Sequence, residues 1–228
     1  MEIIDLKEPN VLIVKNFFTK EEIESTLNSL KLVTEEQWHI ILHDEDDPWY
    51  GMSLSLSNRP EIENRYPSID KEFFIEKEEI IKKIIEKKFN EPIIHQLSGI
   101  NRWRRGRDQQ PHIDYFDSSE EHDFKELQKY NLSKKNLIRF ENKKFNDKHF
   151  SSIVYFNDNY SGGELYMPQW DWEMKPEPGM LICFKGDENH LHGVKLIEDG
   201  IRYTWSMFWT RLSWALENKK ELFNNANI

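Results

Sequence analysis

From Pro92 to Thr210 the chain is a succession of short apolar or alternating runs separated by turn signals, and this pattern most narrows its fold. The runs fall at 93–104, 111–115, 151–157, 163–167, 180–184, 191–197 and 201–210. Gly162-Gly163, Pro178-Gly179 and Asp199-Gly200 punctuate them. Many short strands with no helical periodicity between them predict an antiparallel sandwich or barrel. Between Phe116 and Phe150 the sequence turns polar and charged, with a short helix expected over Glu120–Tyr130. Such an excursion inside a strand array reads as a lid or binding loop, or as a plain solvated loop.

Ahead of this array the signals differ. Val11–Val14 reads as a short strand. Thr19 with Glu22 forms a capping box, so a helix should run from there to about Leu30. A strand is expected over His39–Leu42 and a loop over Asn58–Tyr66. From Asp70 to Phe89, Phe73, Phe74, Ile80, Ile81, Ile84 and Ile85 recur on one face, with Lys and Glu on the other. That is a helix built to cover one side of a sheet. A further short helix is expected after Leu212.

Composition excludes several classes. Of 228 residues, 38% are hydrophobic, enough for a sizeable core in one domain. The formal charge of −10 argues against a nucleic-acid grip built on charge. A local basic cluster, Arg102, Arg104, Arg105 and Arg107 around Trp103, reads as a solvated loop or as a nucleic-acid contact. The one cysteine, Cys183, lies in the apolar run Met180–Phe184 and is expected to be an inert core thiol. A chain without internal disulfides suits a reducing compartment: the bacterial cytosol, or the host cytosol for a viral protein. Neither a signal peptide nor a membrane span is visible.

The sharpest chemistry lies in Gln110-Pro111-His112-Ile113-Asp114. On a strand, residues i and i+2 share a face, so His112 and Asp114 can hold one metal ion together. A third ligand must come from elsewhere. Two histidines and one carboxylate leave coordination positions open, which suits non-haem iron(II) and oxygen chemistry. The downstream candidates are His122, His149, His190 and His192. His192 is preferred because Arg202 follows ten positions on, in the run Arg202–Phe208. A buried arginine there could clamp the distal carboxylate of an oxo-diacid in bidentate fashion. His190 shares the parity of His192 and is the main rival.

With these residues in place, the chain resembles the prolyl 4-hydroxylase-like branch of the iron(II)/2-oxoglutarate-dependent dioxygenases. The resemblance is carried by Asn10–Thr19, by His112-Ile113-Asp114, and by Ser151–Asn157 followed by Gly162-Gly163-Glu164-Leu165 and Pro168. It continues through Lys175-Pro176, Pro178-Gly179, His192-Gly193-Val194 and Gly200–Tyr203. It implies a mainly β member of the α+β class, a double-stranded β-helix (jelly roll) with supporting N-terminal helices. The implied organisation is one domain over 1–228, with a helical support region at 1–91, a jelly-roll core at 92–212 and a tail at 213–228.

The resemblance also implies iron(II), 2-oxoglutarate and oxygen as cofactor and co-substrates, with ascorbate as a reductant. The implied reaction hydroxylates a prolyl residue of a peptide or protein and decarboxylates 2-oxoglutarate to succinate. His112, Asp114 and His192 would hold the metal, and Arg202 with Tyr155 would hold the distal carboxylate. The family's other common tyrosine lies nine positions before the first histidine, where this chain has Trp103. Indole donates one hydrogen bond and accepts none. Leu165 replaces a common threonine after Gly-Gly-Glu and can only pack. Lys148 or His149 stands where an arginine associated with the peptide is usual. Phe208, on the face of Arg202, Thr204 and Ser206, is a candidate floor of the substrate site or a core residue.

Asp199-Gly200 invites a two-residue hairpin, which would place His192 and Arg202 on opposite faces. If both point inward, the link must instead cross between sheets, and that crossing is the expectation. Other readings are a hydroxylase of a free amino acid or small molecule, a nucleic-acid demethylase, and a jelly-roll binding module without turnover.

Overall fold

A computed structural model describes residues 1–40, 52–55, 66–116, 129–130 and 146–218. Within these residues no helix is long and apolar enough to cross a membrane. The helix expected over 120–130, most of the loop at 58–66, most of the polar excursion and His122 lie outside the described residues.

Two antiparallel sheets dominate. Nine strands make the larger one, in the order β1 (Glu2–Asp5), β2 (Leu12–Lys15), β13 (Leu181–Lys185), β9 (Phe150–Tyr155), β15 (Ile197–Arg211), β5 (Ile93–Arg104), β4 (Met52–Ser55) and β3 (His39–Ile40). β10 (Tyr160–Gly162) pairs with one end of β15. The smaller sheet runs β12 (Trp172–Met174), β11 (Leu165–Met167), β14 (His192–Val194) and β6 (Gln109–His112). β7 (Tyr115–Phe116) and β8 (Asn146–Asp147) form a short ribbon. This is the expected jelly roll.

The expected helices form, as α1 (Lys20–Lys31) and α2 (Lys71–Phe89), with α3 (Leu212–Asn218) near the end. Thr19 and Glu22 make the reciprocal capping box, which satisfies two otherwise orphaned N–H groups. Asp70 caps α2 through the Phe73 N–H, and Asn90 ends it in the left-handed region. One expectation shifts: Ile80 lies on the exposed side of α2, while Phe74, Ile81 and Ile85 carry the buried face. Nor is the stretch 1–91 only a helical support. β1 and β2 join one edge of the large sheet, where Val11–Val14 is buried on both faces and β2 pairs with β13, and β3 and β4 join the other edge through β5.

Alternation along each strand separates two cores. Trp205, Met207 and Trp209 of β15 pack with Phe18, Phe74, Ile81 and Ile85 beneath the helices. Phe74 meets Trp205 edge to face at 4.7 Å. Each such fully buried side chain contributes roughly 1.5–3 kcal/mol. The opposite faces enclose a second core between the sheets, from Ile13, Tyr155, Leu165, Met167, Ile182 and Phe184. Arg202 and Thr204 project from β15 away from the helices. Cys183 is buried and free, and burial pushes its thiol up, as an inert core cysteine requires.

The link from β14 to β15 does cross between the sheets. β14 ends at Val194 in the small sheet, and β15 begins at Ile197 in the large one. Asp199 and Gly200 form no hairpin tip; they pair with Ser161 and Tyr160 of β10. The register slips by one residue opposite Ser161 and Gly162. A bulge of this kind reverses which parity faces inward. Ile197 and Arg202, of opposite parity, are therefore both buried. Gly200, at φ +80°, sits where a Cβ would come within 2.7 Å of the Asn159 carbonyl oxygen.

Candidate metal centre

β6 and β14 pair so that His112 lies directly opposite His192, and their ring centroids are 4.2 Å apart. β6 stops at His112, so strand alternation does not place Asp114. A bend does: the Asp114 and Tyr115 N–H groups both donate to the Gly186 carbonyl, at 2.9 and 2.8 Å. A Cβ on Gly186 would come 2.3 Å from the Lys148 carbonyl oxygen and 3.0 Å from the Asp114 Cβ. The bend therefore requires glycine at this position.

One ligand atom from each of His112, Asp114 and His192 falls within 4.8 Å of the others, and all three residues are buried. Among the described residues this is the one such group of histidine and acidic side chains. Nδ1 of His112 donates to the Gln110 carbonyl at 3.1 Å, and Nδ1 of His192 to the His190 carbonyl at 2.9 Å, in the tautomer that leaves Nε2 as the lone-pair nitrogen. Nε2 of His192 lies 3.4 Å from one Asp114 oxygen, and Nε2 of His112 lies 3.8 Å from the other. Ser151 donates its hydroxyl to Asp114 Oδ2 at 2.6 Å. Burial first, and then the neighbouring His192, push His112 down to about 3, so its imidazole is neutral and ready to ligate. Burial would raise Asp114, but the two imidazoles win and hold the carboxyl well below its usual range. Two imidazole nitrogens and one carboxylate oxygen, convergent and buried, fit a divalent iron with open positions.

The rival histidines go elsewhere. His190 lies in a 3₁₀ turn, with Nδ1 2.5 Å from Asp187 Oδ1. His149 stacks on Tyr115 at 4.2 Å. Lys148 places its ammonium 3.9 Å from the centre of the Phe208 ring.

Arg202 is 1% exposed. One of its N–H groups donates to the Gly163 carbonyl at 3.3 Å, and its Nε has no partner. Its guanidinium carbon lies 5.1 Å from the centre of the Trp103 ring and 5.2 Å from that of Tyr155. The Tyr155 hydroxyl is buried without a partner, and burial raises its pKa. The Trp103 N–H donates to Thr204 Oγ1 at 3.3 Å, so the indole meets Arg202 through its ring. Leu165 packs in the inter-sheet core, as expected. The basic cluster is tied into the fold: Arg102 makes two hydrogen bonds to Glu35, and Arg104 a third. Arg102 also lies over Trp38 at 4.7 Å.

Two contributors escaped sequence reasoning: Ser151 and Gly186. A serine on the inward parity of an apolar strand was the available signal for Ser151. Gly186 carried none by itself.

The chain matches the 2OG-Fe(II) oxygenase superfamily over residues 98–211, half of its 228 residues. It is 30% identical over 66 residues to human Prolyl 3-hydroxylase 2, a match covering 27% of this chain and 9% of that protein. The chain thus spans a small part of the curated relatives it matches. Among solved structures it is similar to a prolyl hydroxylase from Trichoplax adhaerens, in complex with a hypoxia inducible factor peptide fragment. The TM-score is 0.64 at 13% identity, covering 91% of this chain and 86% of that one. It is also similar to a Pseudomonas putida prolyl-4-hydroxylase, with TM-score 0.59 at 11% identity over 88% and 92% of the two chains. A viral collagen prolyl hydroxylase from Paramecium Bursaria Chlorella virus-1 gives TM-score 0.56 at 13% identity, over 89% and 96%.

Proposed function

Because the chain belongs to the 2OG-Fe(II) oxygenase superfamily, and is a 2-oxoglutarate-dependent dioxygenase, we propose that it hydroxylates a prolyl residue of a peptide or protein. The observation that carries the chemistry is the buried His112, Asp114 and His192 group, together with a buried arginine that has no carboxylate partner among the described residues. The prolyl substrate is supported by the matched segment of Prolyl 3-hydroxylase 2.

His112 and His192 offer Nε2, and Asp114 offers a carboxylate oxygen. Ser151 holds that carboxylate in one rotamer through its 2.6 Å hydrogen bond. The carbonyls of Gln110 and His190 fix both imidazole tautomers. Arg202 holds the distal carboxylate of 2-oxoglutarate, and the Tyr155 hydroxyl donates to the same group. The Trp103 ring and the Gly163 carbonyl set the guanidinium plane. Burial of this end keeps water out and strengthens each charged contact. When bound, iron(II) with 2-oxoglutarate supplies the oxygen activation that places a hydroxyl group on the substrate while succinate and carbon dioxide form.

Iron(II)-dependent conversion of 2-oxoglutarate to succinate is expected in the wild type, aided by ascorbate as reductant, and is lost in His112→Ala. A peptide library read by mass should show one added oxygen on proline-containing members. Oxygen gained by free amino acids alone would replace the prolyl-peptide reading with a small-molecule one. Absence of both metal uptake and turnover would leave a binding module.

A further inference from the structure

A second phenol is buried near Arg202. Tyr160 is 6% exposed, and its hydroxyl is buried with no hydrogen-bond partner. β10 places it opposite Gly200, two residues from Arg202 on β15. A methyl group built on Gly163 would touch both side chains, 3.1 Å from Tyr160 Cε2 and 3.5 Å from Arg202 Cδ. The ring edge beside the hydroxyl and the arginine stem thus flank the same stretch of backbone. Tyr160 also belongs to the small cluster of Trp103, Val194 and Ile197. The carboxylates of Asp158 and Glu164 lie on this side as well, yet neither accepts from the hydroxyl.

A carboxylate offers about four lone-pair sites. An arginine fork fills two of them and leaves two for other donors. The nearby side chains are poor sources: the Trp103 N–H is engaged by Thr204, and Leu165 has no polar atom. Among the described residues, two phenols near Arg202, Tyr155 and Tyr160, have buried hydroxyls with no partner. A buried hydroxyl without a partner costs stability unless a ligand completes it. We propose that Tyr160 is a co-substrate-binding residue, donating its hydroxyl to the distal carboxylate of 2-oxoglutarate beside Arg202 and Tyr155. This rests on the reading of the chain as a 2-oxoglutarate-dependent enzyme.

The test is direct binding to the full chain loaded with iron(II) under argon, where no turnover occurs. Calorimetry would compare 2-oxoglutarate with 2-oxopentanoate, a 2-oxo acid of equal length that lacks the distal carboxylate. In Tyr160→Phe, the Kd for 2-oxoglutarate should rise about tenfold, the effect of losing one hydrogen bond to a charged group. The Kd for 2-oxopentanoate should not change. Without ligand, the thermal midpoint of Tyr160→Phe should equal or exceed that of the wild type, since only an orphaned hydroxyl is removed. An unchanged Kd for 2-oxoglutarate, equal weakening of both acids, or a lower midpoint without ligand would each overturn the proposal. A wild type that binds neither acid would instead sink the dioxygenase reading, and the role of Tyr160 with it.

Discussion

Trp103 and Arg202 face each other directly across β5 and β15, with the guanidinium carbon 5.1 Å from the centre of the indole ring. The ring supports a buried cation that has no acidic partner within 4.0 Å among the described residues. Desolvated cation–π contacts are worth about 2 kcal/mol. Trp103→Leu should therefore raise the KM for 2-oxoglutarate roughly tenfold or more, with kcat much less affected. Trp103→Phe keeps a ring face and should fall between. A variant that lowers kcat alone would show that the indole acts elsewhere.

Ser151 should matter to the metal, although it is not a ligand. Its hydroxyl is the partner that fixes Asp114 Oδ2. Losing an outer partner of a metal ligand typically costs about 10- to 100-fold in affinity. Ser151→Ala should show that loss in an anaerobic iron(II) titration, with little change in thermal midpoint without metal. Unaltered iron affinity would mean that Asp114 is oriented by its backbone alone.

Gly186 is expected to be intolerant of any side chain. The contacts at 2.3 and 3.0 Å that a Cβ would make are with backbone and with Asp114 itself. Gly186→Ala should destabilise the fold by about 1–3 kcal/mol through overpacking. Whatever folds should bind iron(II) more weakly than wild type. Chemical denaturation and metal titration on one sample would separate these effects, and wild-type values in both would refute the role given to the bend.

Metal should also stabilise the protein. A site formed only in the folded chain gains about 2.7 kcal/mol at a free metal concentration 100 times Kd. Iron(II) added under argon should raise the wild-type thermal midpoint by roughly 5–11 °C, and a chelator should reverse the shift. His112→Ala and Asp114→Asn should show none. An equal shift in those variants would place the metal at another site.

The parts of this site legible from sequence are those with short-range signatures. The β5 strand was read at its full extent because its runs and flanking turns are local. The capping box at Thr19 and Glu22 spans one helical turn. His112 and Asp114 stood out as a pair, although a bend rather than strand alternation brings them together. His192 could be preferred over His190 only by its neighbours downstream.

What sequence alone determined is the strand array, the apolar helix faces and the residue types that can hold iron and a diacid. These depend on periodicity and on the chemistry of each side chain, and both are local properties. Tertiary structure alone decided the rest: that His192 pairs with His112 across the small sheet, that Ser151 reaches Asp114, and that Tyr160 joins Arg202 at the buried end. Those contacts span 37 to 80 residues of chain, as from His112 to His192 or from Asp114 to Ser151. Their existence depends on strand register, and one bulge opposite Ser161 and Gly162 sets which way Arg202 points. Register follows from apolar pattern, turn and bulge geometry acting together as two sheets pack, so no single local run fixes it.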